Sequence, residues 1–331
     1  PSEAVFGPFW PARIAMNTSI TTAQRAKKTG KTNRFSSLRW ARRSKWGFVL
    51  KILPIESRSR HFATAARQNG LTLHPLPMED KSTTHPAFRR FRLELAYDGR
   101  PFSGWQSQAS GDAVQDVVQR ALAAICPAIT TVQGSGRTDA GVSALAQVAH
   151  FDAPATSRMD GGAWQRALNT KPPPAIRVMR CAATDPRFHA RFSALAKTYR
   201  YHIATGEVLP PLLHGLAWHQ RGFASAEALA SVLALFEGTH DFGAFSAKRH
   251  DGRDEGRDSV RTITTARLSE RGDDSLLLEF RGNGFLYKMV RFLVGSAVYC
   301  AKGRISRRDM SRLLEGDTGE TKAPYCAPAD G

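Results

Sequence analysis

Residues Gly134–Gly141 (GSGRTDAG) constrain the fold more than any other stretch of this chain. Three glycines follow a strand signal at Gln133, which is the setting of a phosphate-binding loop. The grammar of such loops is missing. There is no GxxxxGK[ST], and the third glycine of a GxGxxG fails because position 139 is Asp and position 140 is Ala. The chain also returns quickly to a strand at Gln147–Phe151 instead of opening a long helix. A doubly wound nucleotide-binding fold is therefore the wrong frame. What remains is an Arg and an Asp two residues apart, held between glycines that allow a ligand close approach. That arrangement fits a tight turn with a local ion pair, or a reactive site.

The flanking periodicity says what carries this loop. Arg90–Tyr97 (RFRLELAY) alternates strictly, with Phe91, Leu93 and Leu95 on one face of a strand. Asp112, three residues before Gln115, is a variant capping box opening a helix through Val114, Val118, Leu122 and Ile125. A helix over Ala163–Asn169 and a strand over Ile176–Ala182 close the first half. In the second half Tyr199, Tyr201 and Ile203 alternate on a strand. Leu229–Phe236 forms a helix ending at Gly238. Thr262–Leu268 and Leu276–Phe280 form a hairpin around Gly272–Asp274. Leu286–Tyr299 is apolar and helical, and Ser306 with Asp309 caps a last short helix. Strands, helices and hairpins in two similar halves predict two α+β domains with mostly antiparallel sheets.

Charge narrows the partner. Lys and Arg number 47 against 29 acidic residues, a formal charge of +18, which favours a polyanion. Residues 1–77 hold 14 basic and 2 acidic residues, and the remainder 33 and 27, so the excess is concentrated at the start. That start is rich in Ser, Thr and Arg, without sustained period. It reads as an organelle transit peptide or as an extension ahead of a natural start at Met78, and disorder is expected for it. The boundaries predicted are 1–87 for this basic extension, 88–193 for the first α+β domain with the Asp loop, and 194–331 for the second. No stretch has the apolar length of a membrane span. Cys126, Cys181, Cys300 and Cys326 show no zinc or CxxC spacing, and buried, reduced thiols of an intracellular protein are expected.

Four further segments stand in order around the loop: Tyr97–Gln108 (YDGRPFSGWQSQ), Phe188–Tyr201 (FHARFSALAKTYRY), Gly238–Phe245 (GTHDFGAF) and Gly282–Gly295 (GNGFLYKMVRFLVG). With GRTDAGVxA they resemble the tRNA pseudouridine synthase A (TruA) family, from about Arg90 to Pro328. Two departures stand out: Ser143 where the family usually has His, and Phe292 where it commonly has Asn. The family also carries an apolar strand after Ala327-Pro328-Ala329, so a sheet edge in the second half is expected to lie uncovered.

The resemblance implies roles. Asp139 is the nucleophile: pseudouridylation breaks the C1′–N1 bond, turns the base and joins C1′ to C5, and a carboxylate can attack or stabilise an oxocarbenium-like C1′ and then leave. Arg291 supplies the charge that keeps a desolvated carboxylate ionised. Its apolar flanks, Met289, Val290, Phe292 and Leu293, independently argue that it is partly buried and paired. Tyr199 lies against the flipped uracil, its hydroxyl near C5, with Tyr201 as packing. Arg137 holds the RNA backbone or displaces the base. Arg191 and Lys288, with Lys197 and Arg200, add phosphate contacts. Phe102 and Trp105 fit RNA stacking or core packing. His240 and Asp241 fit turn chemistry better than a dyad, and His150 and His189 lack metal spacing.

The resemblance further implies two ferredoxin-like (RRM-like) domains with the cleft between them holding tRNA, a homodimer, and uridines 38–40 of the anticodon arm as targets. No metal and no small-molecule cofactor is expected, since the reaction is an isomerisation. A cytoplasmic location follows, or an organellar one if residues 1–77 are a transit peptide. The rivals are a pseudouridine synthase with another RNA target and a non-catalytic RNA-binding module on the same sheet, which would need none of Asp139, Tyr199 and Arg291.

Overall fold

In the computed structural model, the residues described are 51–52 (backbone only), 87–222, 225–247, 258–272, 274–316 and 322–331. Chain contacts divide the protein into Pro1–Lys45 and Trp46–Gly331, and every described residue belongs to the second unit. Apart from 51–52, the disorder expected for residues 1–77 concerns residues outside those described.

The elements run β1 (Lys51–Ile52), β2 (Phe88–Tyr97), α1 (Val114–Ile125), β3 (Gln133–Gly134), β4 (Ala144–Pro154), α2 (Gly161–Leu168), β5 (Ile176–Ala183), β6 (Lys197–Ala204), β7 (Trp218–His219), α3 (Ala226–Leu233), β8 (Gly238–Asp241), β9 (Val260–Glu270), β10 (Ser275–Gly282), α4 (Met289–Ala301) and α5 (Arg307–Leu314). The mixed α+β class and the antiparallel-rich sheets are as the periodicity predicts.

In the first half the strands lie side by side as β5-β2-β4-β3, every pair antiparallel. The alternation of β2 is the cause of its orientation: Phe91, Leu93 and Leu95 are fully buried while the residues between them are half-covered. They meet Val114, Val118 and Leu122 of α1 and Trp164 of α2, and Phe91 stacks on Phe151 of β4 at 5.4 Å. Each such side chain contributes about 1.5–3 kcal/mol by leaving water. The second half orders its strands β6-β10-β9-β8, again antiparallel, with α3 and α4 supplying the apolar cover. On its other side β6 pairs with β7 at Ile203–Ala204 and with β1 at Lys197–Thr198, and β1 also pairs in parallel with Ala146 of β4.

Three local readings are corrected. Asp112 does not form a capping box with Gln115. Its carboxylate accepts from the hydroxyls of Ser103 (2.7 Å) and Ser110 (2.6 Å), and Asp116 caps α1 by accepting from the Ala113 N–H. The helix expected from Leu286 starts at Met289, because Lys288 has φ 58° and a left-handed residue cannot continue a right-handed helix. Of the four thiols, all free, only Cys300 is buried. Cys326 is exposed because the segment that carries it crosses the surface over α4.

Candidate active site

The Gly134–Gly141 loop is built from behind. Residues 97–105 pack under it, and the backbone Trp105 N–H donates to Thr138 O (3.0 Å). Gly104 sits at φ 90°, and a Cβ there would stand 2.6 Å from Thr138 O, so only glycine lets the two segments touch. The Trp105 ring presses on Gly134, where a Cβ would stand 2.4 Å from it. Trp105 and Phe102 are buried, so both are core packing and not stacking surfaces. Buried Ser135 donates to Gln147 Oε1 (2.8 Å), and Gln147 donates to Gly136 O (2.7 Å). The Tyr97 and Thr138 hydroxyls share a hydrogen bond of 2.9 Å directly behind Asp139. Ser143 accepts from the Gly99 N–H at 2.9 Å, joining the loop's far end to the same buttress.

The carboxylate held by this frame meets α4. Arg291 Nη1 lies 3.5 Å from Asp139 Oδ2, and both side chains keep under one fifth of their surface exposed (19% and 18%). In such a half-dry setting the pair attracts more strongly than at an open surface. Arg291 is also aimed from a second direction: its Nε donates to Ala327 O (2.8 Å), while the Ala327 N–H donates to Arg291 O (2.9 Å). The 322–331 segment thus fastens the guanidinium. It is fastened in turn by the Tyr201 hydroxyl, which donates to Pro328 O at 2.8 Å. Ala327 was not legible as a site residue, because it acts only through its backbone.

Tyr199 comes from β6, half-buried, with its ring edge-on to Phe285 at 4.9 Å. Burial first, then the charges of Asp139 and Tyr97, push its phenol well above the ordinary tyrosine range. The hydroxyl therefore stays protonated at neutral pH, and Asp139 is near enough for its charge to be felt. Tyr201, on the same face, is fully buried in the second core. Asp139, Tyr199 and Arg291 are thus brought together from β3–β4, β6 and α4.

Arg137 is exposed, two residues before Asp139. Lys288 is the left-handed residue opening α4, its ammonium 5.2 Å from the Tyr287 ring centre. Arg191 is exposed on the segment between β5 and β6. Arg200 is engaged elsewhere, with Glu279 across the strand pair (2.7 Å). His240 bonds Glu237 O and Asp241 accepts from Gly243 N–H, so the pair is turn chemistry. His150 is buried and accepts from the Ala190 N–H at Nδ1 (3.1 Å). Burial, then the charges of Arg90 and His189, lower it to about 4.

Comparison with known proteins gives the family. The family profile described as tRNA pseudouridine synthase matches residues 95–193 and 232–331. A tRNA pseudouridine synthase A of Akkermansia muciniphila is 45% identical over 244 residues, 73% of this chain and 92% of that protein. One from Solidesulfovibrio magneticus is 40% identical, over 73% of this chain and 88% of that protein. One from Methylobacillus flagellatus is 36% identical over 72% and 89%. Among solved structures, a Cbf5-Nop10-Gar1 complex is matched at 13% identity with a TM-score of 0.27, over 63% of this chain and 44% of that one, too loosely to carry an argument.

Proposed function

The chain belongs to the tRNA pseudouridine synthase family, and from that premise we propose that it isomerises uridine to pseudouridine in tRNA with Asp139 as nucleophile. The observation that carries the assignment of Asp139 is its ion pair with Arg291 at 3.5 Å, on the loop between β3 and β4. Arg291 balances the carboxylate charge while a base covers it. Asp139 attacks or shields C1′ as the C1′–N1 bond breaks, the freed uracil turns, and C5 bonds to C1′. The proton lost from C5 balances the one gained at N1, so nothing is consumed. The protonated Tyr199 hydroxyl contacts the base near C5 and can relay that proton. Arg137 and Lys288 meet the RNA backbone, and Arg191 extends that contact outward.

The strand order β5-β2-β4-β3 with two helices supports a ferredoxin-like first domain, 88–193. The second, 194–331, is read as its counterpart, with tRNA in the cleft. Uridines 38–40 of the anticodon arm as targets, a homodimer and a cytoplasmic location complete the proposal.

Site-by-site chemical mapping of pseudouridine on unmodified tRNA tests it. Wild type is expected to modify the anticodon arm, and Asp139→Asn to yield no product while remaining folded. Tight tRNA binding without product from wild type would instead favour a binding module. Product at other sites would move the target.

A further inference from the structure

The segment between β5 and β6 has two sides. Phe188, Ala190 and Ala194 face the first core, whereas Phe192 and Leu195 stand 77% and 64% exposed. Single exposed apolar side chains are ordinary; here two lie within four residues, and the turn that carries Phe192 is fastened through His189. Ser193 N–H donates to His189 O (2.8 Å) and His189 N–H donates to Ser193 Oγ (3.1 Å). The Arg191 and Phe192 N–H groups both donate to His189 Nδ1 (3.2 and 3.4 Å). With Nδ1 accepting, Nε2 carries the proton and donates to Gln133 Oε1 at 2.8 Å. Folding therefore holds an aromatic ring in water on a rigid support, so little entropy remains to be lost when a partner binds.

The surroundings of the ring define that partner. The Arg191 guanidinium is 5.6 Å from its centre and the His189 ring 4.4 Å, tilted by 33°, yet most of the ring stays open. An aromatic face beside a planar cation fits a nucleobase and its phosphate. Gln133, which anchors the turn, immediately precedes the Gly134–Gly141 loop. Tyr199 is seven residues on, so its Cα is within about 25 Å.

We propose that Phe192 is a stacking platform for an unstacked nucleobase of the tRNA substrate, with Arg191 on the adjoining phosphate. This rests on the tRNA reading above. The platform positions RNA and takes no part in bond making.

The test uses the full chain and an unmodified tRNA transcript, with Kd from filter binding, kcat and KM from pseudouridine formation, and thermal melting as control. Phe192→Ala is expected to raise Kd and KM about ten-fold, within the range for loss of one base stack, with kcat and melting unchanged. Phe192→Trp is expected to restore both constants. Arg191→Ala is expected to flatten the salt dependence of Kd by about one phosphate contact. Wild-type affinity in Phe192→Ala would overturn the platform, as would a lowered melting temperature in both Phe192 variants, which would mark plain packing. A shift from dimer to monomer in Phe192→Ala would assign the ring to a second copy of the chain. If wild type binds tRNA through Phe192 but makes no product, the platform stands and the catalytic reading falls.

Discussion

Asp139, Arg291 and Tyr199 differ in how far sequence alone reaches them. Asp139 is reached through resemblance: excluding a phosphate cradle leaves only an Arg and an Asp between glycines, which fits a tight turn equally, and it is the five ordered motifs that single out the acid. Arg291 is marked by its apolar neighbours, since a cation among Met289, Val290 and Leu293 needs a partner. That the partner is Asp139 lies beyond sequence, as 152 positions separate them. Tyr199 and Tyr201 are indistinguishable by alternation; burial separates them, leaving Tyr201 in the core and Tyr199 half-buried beside the acid. The raised Tyr199 phenol makes a pH prediction. An ordinary tyrosine ionises around pH 10, whereas the Tyr199 phenol should stay protonated there, as read from tyrosinate absorbance in wild type against Tyr199→Phe. A tyrosinate signal at about pH 10 that Tyr199→Phe removes would show that the phenol titrates normally.

At the scale of elements, the site depends on segments that touch no substrate. Gly104→Ala would set a methyl 2.6 Å from Thr138 O at a backbone angle alanine resists. It should destabilise the fold by about 1–3 kcal/mol and lower turnover as the loop shifts; unfolding in urea and rate measurement check both, and wild-type values for each would refute the packing argument. β4 gives a second case. Its residues Val148 to Phe151 are buried without alternation, because the segment after β5 covers the outer face and seals His150. A histidine lowered to about 4 in the native state binds protons more readily when unfolded. Its contribution is complete above pH 6.5 and is lost as pH falls towards 4. Wild type should lose about 2 kcal/mol more than His150→Gln between pH 7 and 4.5. Parallel stability curves for the two proteins would contradict this.

For the whole molecule, net charge and architecture separate. Pro1–Lys45 hold ten Lys and Arg and one acidic residue. Deleting them should flatten the logarithmic dependence of RNA affinity on salt by at least one phosphate contact while leaving the uridine chemistry in place. An unchanged slope would mean that these charges do not meet RNA. Most strands and helices, the α+β class and the loop that carries the acid were legible in sequence, because periodicity and turn chemistry are local; the short strands β7 and β8 were not, since two to four residues carry no period. The late start of α4 and the true cap of α1 were not, since they depend on one left-handed residue and on which carboxylate reaches which N–H. Only the tertiary structure decided that Arg291 meets Asp139, that Ala327 aims it, and that Trp105 is packing while Phe192 is open. Each of these depends on distances between residues remote in the chain, and burial and ion pairing act through space, where local pattern carries no record of them.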